Sequence, residues 1–78
     1  MTMKVVVASE PDREDLFAEI HQDDQPWAEI ALDRMTKRFV LTIFPSATDD
    51  AHVFPLSEAV GAIAEARDAL TRRGYVEE

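Results

Sequence analysis

A chain of 78 residues is near the lower limit of what folds on a single hydrophobic core, so residues 1–78 read as one domain. Cysteine is lacking, which excludes a disulfide framework, a thiolate metal site and a thiol nucleophile, and accords with a reducing cytoplasm. Sixteen acids against eight Lys and Arg leave a net charge of −8, which repels phosphate backbones, argues against direct nucleic-acid binding and favours a basic protein partner.

The start, MTMKVVVASE, turns polar too soon for a signal peptide, and no apolar run reaches membrane length. The chain is therefore expected in the cytoplasm without a membrane partner. MKVVVA, residues 3–8, is short and β-branched and predicts a first strand.

Residues 10–21 admit two readings. Ser9 can cap a helix with Pro11 and the acids in its first turn, which would make the fold βαββα. The same stretch also alternates as a strand does, with Leu16, Ala18 and Ile20 on one face and Phe17, Glu19 and His21 on the other. FAEI at 17–20 returns as WAEI at 27–30, with Ala28, Ile30 and Leu32 opposed to Trp27, Glu29 and Ala31. Pro26 stops a helix arriving from the left, and DDQ suits a three-residue loop. The two segments therefore read as the arms of one hairpin, each burying its Ala-Ile pair.

RFVLTIF, residues 38–44, is a further strand closed by Pro45, and the following loop has room for a short edge strand at 52–54. Ser57 is positioned to cap a helix running to about Arg73, with Gly74 as its stop. Leu56, Val60, Ile63, Ala66, Arg67 and Leu70 form its expected inner stripe, and Gly61 permits close approach to the sheet. The predicted fold is α+β: a four-stranded antiparallel meander with the C-terminal helix on one face, ββββα.

A helix on one face leaves the other bare, with Phe17, Glu19, His21, Trp27, Glu29 and Phe44 on it. Aromatic side chains ringed by charge mark a partner surface, with Trp27 and Phe17 as its anchors. Glu19 and Glu29 face each other across the hairpin, but an open sheet offers no closed site to separate their pKa values for acid/base work. At one end of the meander gather Asp23, Asp24, Asp49 and Asp50, flanked by His21 and His52. Their spacing matches no metal motif, so an acidic docking rim is the expectation and no metal or cofactor is assigned. Two glycines in all rule out a glycine-rich phosphate loop, and no serine stands in a nucleophile elbow, so no catalytic residue is assigned.

The order of strands followed by the helix PLSEAVGAIAEARDAL resembles the small HicB-type antitoxins, whose domain has a similar strand-strand-strand-helix run. In size, acidity and lack of motifs the chain is also similar to immunity and inhibitor proteins of bacteria and phages. It lacks the proline-and-glycine loop that precedes the helix in HicB-type antitoxins and their appended DNA-binding segment. The resemblance implies a non-enzymatic inhibitor that masks a basic protein such as a toxin or nuclease. Two alternatives stand beside it: a small-molecule or metal-binding regulatory module using the Asp/His end, and a structural homodimer whose bare sheet face is its self-interface.

Overall fold

Strands β1 (Met3–Ala8), β2 (Phe17–Gln22), β3 (Gln25–Asp33) and β4 (Arg38–Ile43) lie in chain order in one antiparallel sheet, followed by helix α1 (Leu56–Thr71). The structure, a computed structural model, describes residues 3–48 and 50–77. It is the ββββα meander, and residues 10–21 divide into a loop and strand β2. The strand reading wins because alternation sends Ala18 and Ile20 inward against Ile30 and Ala28, where both are fully buried.

The β2–β3 turn is Asp23-Asp24 alone, two residues where the sequence suggested the three of DDQ. Both have positive φ, 48° and 70°, the geometry that a two-residue hairpin needs to follow the strand twist. Aspartate tolerates it better than most residues because its short polar side chain bonds locally. Gln25 and Pro26 consequently enter β3. At the β3–β4 turn the Lys37 amide donates to the Asp33 carbonyl at 2.8 Å, and Lys37 takes φ 62°.

Helix α1 packs across β1, β2 and β3 and leaves β4 largely uncovered. Its buried residues are Ala62, Ala66, Ala69 and Leu70, with Ala59 and Ile63 partly buried beside them. The expected inner stripe is thus corrected: Leu56 and Val60 stand outside, 78% and 56% exposed, and Arg67 is exposed too. The docked face is the alanine face, whose short side chains let the helix backbone sit close to the sheet. Large residues from elsewhere, Trp27, Phe54 and Tyr75, close the ends of the core.

Other local expectations also shift. The helix starts after Pro55, whose fixed φ suits helix entry, and no side chain, Ser57 included, caps it. Gly61 lies on the exposed side, where a Cβ would meet nothing within 4 Å, so it serves no close approach. Residues 52–54 remain loop. Gly74 does end the helix, with φ 95°, and the Tyr75 amide donates to the Leu70 carbonyl at 3.2 Å. No helix among the described residues is long and apolar enough to cross a membrane.

Candidate functional site

The sheet face away from the helix is not bare, because the loop between β1 and β2 folds its arginine over it. The Arg13 guanidinium lies 3.9 Å from the centre of the Phe17 ring. It also donates to both carboxylate oxygens of Glu29, Nη1 to Oε1 at 3.2 Å and Nη2 to Oε2 at 2.9 Å. Phe17 is 2% exposed beneath this cover. Glu19 and Glu29 are opposed in register as the hairpin demanded, but each has its own neighbour, Arg13 for Glu29 and the His21 Nε2 at 3.3 Å for Glu19. The bond to Glu29 raises the Arg13 pKa.

Truncating Arg13 should therefore do more than delete a surface charge. Arg13→Ala would leave the partly buried Glu29 carboxylate beside Glu19 without its partner and uncover Phe17, at an expected cost of about 1–3 kcal/mol. Arg13→Lys should recover only part of it, since an ammonium cannot bond both oxygens in one plane or lie flat on the ring. Chemical denaturation of the two variants beside the wild type measures both numbers.

Trp27 departs furthest from the sequence expectation. The β2–β3 register slips between Ile20 and His21: Ile20 pairs with Ala28, but His21 pairs with Pro26. Trp27 is therefore the extra residue of a β-bulge, which releases it from strict alternation. Its side chain joins the buried cluster of Ala18, Ile20, Ala28, Ile30 and the helix alanines, is 5% exposed, and packs at 4.6 Å on Phe54. Phe17 and Trp27 as exposed anchors of a partner surface are both corrected on this ground. Phe44 is half-buried; its amide donates to the Trp27 carbonyl at 2.8 Å, and its carbonyl is 2.9 Å from His52 Nε2.

Exposed apolar surface lies instead along β4 and the adjoining flank of α1. Because α1 stops short of β4, a groove of about 640 Å³ opens between them, lined by Ile30, Phe39, Leu41, Val60 and Ile63. Arg67 closes one end, 5.9 Å from the Phe39 ring and paired with Glu77 at 3.3 Å. Towards the other end the strip continues one turn along the helix to Leu56 and two residues along the strand to Ile43, 60% exposed. Of Leu41, Ile43 and Val60, the last was expected on the inner stripe of α1. Leu41 and Ile43 do lie on the helix-bearing side, paired with Ile30 and Ala28, but α1 does not reach over β4, and Val60 stands on the exposed flank of the helix.

The basic residues are segregated along the same axis. Arg13, Arg34, Lys37, Arg38, Arg67, Arg72 and Arg73, seven of the eight Lys and Arg, lie towards the end where the β3–β4 turn and the helix C-terminus meet. Two of the acids at that end are paired there: Arg34 bonds Asp15 at 2.6 Å and approaches Glu14 at 3.3 Å. The Asp15 bond raises the Arg34 pKa and holds the Asp15 carboxyl below its ordinary value. Towards the opposite end, that of the β2–β3 turn and the start of α1, stand Asp23, Asp24 and Glu58, with Asp50 in the loop after β4. Asp49 lies outside the described residues. No group of three or more His, Asp or Glu among the described residues is arranged to hold a metal ion. His21 and His52 are turned to Glu19 and to the Phe44 carbonyl instead. Comparison of the chain with family models, with curated proteins and with solved structures finds no match.

Proposed function

We propose that this protein is a non-enzymatic inhibitor of the antitoxin, immunity or anti-defence kind, which masks a basic surface on a partner such as a toxin or nuclease. The observation that supports the reading is an acidic end set beside an open apolar strip. Asp23, Asp24, Asp50 and Glu58 lie towards the end of the fold to which the apolar strip of Leu41, Val60, Ile43 and Leu56 runs, while most of the basic residues lie at the far end. Apolar contact at the centre with charge at the rim is how specific protein interfaces divide affinity from steering. The docking residues proposed are accordingly the strip and the acidic turn, with the aromatic pair Phe17 and Trp27 holding the fold.

The groove also has a volume within the range of small-molecule sites, which favours as a second reading a regulatory module whose ligand sits against Leu41 and Val60.

Affinity capture from cells that carry the gene separates them. Wild-type protein should retain a basic protein at low salt, and the charge-neutralised variant Asp23→Asn, Asp24→Asn, Glu58→Gln should lose most of it, with a melting temperature in free solution close to that of the wild type because asparagine also tolerates positive φ. Retention should weaken as salt rises past the Debye screening range. Equal capture by both forms would remove the acidic-end reading. A rise in melting temperature with a metabolite extract from which proteins have been removed would promote the second.

A further inference from the structure

The free edge of β4 carries an inference independent of the partner reading. Native sheets blunt their edges with inward charges, prolines, bulges or a covering element. Strand β4 has none of these: five of its six residues are exposed, Arg38 is its one charge and lies at its end, and α1 does not reach over it. The other edge, β1, is half-buried under α1 and carries Lys4 within the strand.

The hydrogen-bonding direction of β4 follows from one contact. The Phe44 amide points at β3, where it meets the Trp27 carbonyl. Alternation then turns the N–H and C=O groups of Val40 and Thr42 to β3 and those of Phe39, Leu41 and Ile43 to the open side. A run of three such outward residues has only a few ways to pair antiparallel with itself. The register centred on Leu41 sets Leu41 against Leu41 and Phe39 against Ile43, and uses the extended chain from Arg38 to Phe44. Positive φ at Lys37 and the proline at position 45 end that stretch on either side. In a chain of net charge −8 this edge has no acid, and the two-fold axis sends the two Arg38 side chains to opposite ends, each beside a Phe44. No like charges meet.

Exposed area points the same way. A compact monomer of 8.8 kDa exposes about 4,800 Å², whereas this chain exposes 5442 Å². The excess is roughly 650 Å² per copy. Covered in two copies it amounts to roughly 1,300 Å², inside the range of specific interfaces.

We infer that the occupant of the β4 edge is a second copy of this chain, joined antiparallel about Leu41 into one continuous eight-stranded sheet with both helices on the same face. The two apolar strips then run side by side down the middle of that face.

Residue 41 faces its own copy, so its charge tests the register directly. Wild-type protein should sediment as a dimer at micromolar concentration. Leu41→Lys and Leu41→Glu should each sediment as folded monomers, and an equimolar mixture of the two should dimerise again. A wild type that stays monomeric, or single variants as dimeric as the wild type, would overturn the inference; a mixture that remains monomeric would overturn its register. Hydrogen exchange of the unmodified chain gives a check that needs no variant. The amides of Phe39, Leu41 and Ile43 should gain protection on going from dilute to concentrated protein, and exchange independent of concentration would sink the proposal. Both readouts use the chain alone, so their outcome is separate from whether a basic partner is captured.

Discussion

Trp27→Ala should unfold this protein far more readily than any surface change, with a loss of about 3–5 kcal/mol. The indole is 5% exposed and fills the end of the core between Ile20, Ala28 and Phe54. A domain of this length has a total stability of roughly 4–12 kcal/mol, so the variant would lose about a quarter of it or more. At about 4–8 °C per kcal/mol the melting temperature should fall by tens of degrees or the transition should vanish. Trp27→Phe isolates the polar part of the effect. Among the described residues the Trp27 Nε1–H has no hydrogen-bond partner, and a buried unpaired donor costs about 1–3 kcal/mol. The phenylalanine keeps much of the burial and removes that donor, so it should cost much less than alanine. Thermal melts of the two variants test this. A Trp27→Ala chain as stable as the wild type would mean that the indole does not belong to the core.

The second large effect is expected on the opposite face of the sheet. Phe17→Ala should destabilise by about 3–5 kcal/mol, although Phe17 is on the side without a helix. Its ring is buried because the β1–β2 loop brings Arg13 over it, tied down by Glu29. The loop has a second tie, from the Leu16 amide to the Tyr75 hydroxyl at 3.0 Å, and a third through Asp15 and Arg34. Loss of the ring would leave Arg13 without its aromatic surface. The double variant Phe17→Ala, Arg13→Ala should therefore cost less than the two single variants added together, since both remove one contact. Urea denaturation of the four forms measures that coupling. Additive losses would show that the cation and the ring act separately.

Both residues are in the FAEI and WAEI repeat, and the repeat shows how far a local pattern reaches. Ala18, Ile20, Ala28 and Ile30 are buried together as alternation requires, and Glu19 faces Glu29. The two aromatics, alike in sequence, go to different places. Phe17 stays on the outer face under a loop, while Trp27 turns inward at a bulge. A bulge is one extra residue in a ladder, and its position depends on which turn the hairpin adopts. Asp23-Asp24 in left-handed geometry takes two residues for the turn, Gln25 and Pro26 join the strand, and the register slips by one before Ala28 restores it. Nothing in the period-two pattern of WAEI reports that slip.

The order of strands and helix and the Gly74 stop were legible from residue type and spacing alone. Each rests on near neighbours in the chain: β-branched runs, alternation, a proline, a glycine with positive φ. The partner surface was not legible, because it depends on which side of α1 meets the sheet. Leu56 and Val60 are the more hydrophobic choice for the inner stripe, yet the alanine face docks. Alanines allow close backbone approach, and Trp27, Phe54 and Tyr75, distant in sequence, supply the remaining volume. That choice shifts the helix towards β1 and leaves Leu41, Ile43 and Val60 in the open. Hydrophobicity along the chain determines which side chains seek burial; only packing between elements far apart in sequence decides which of them obtain it.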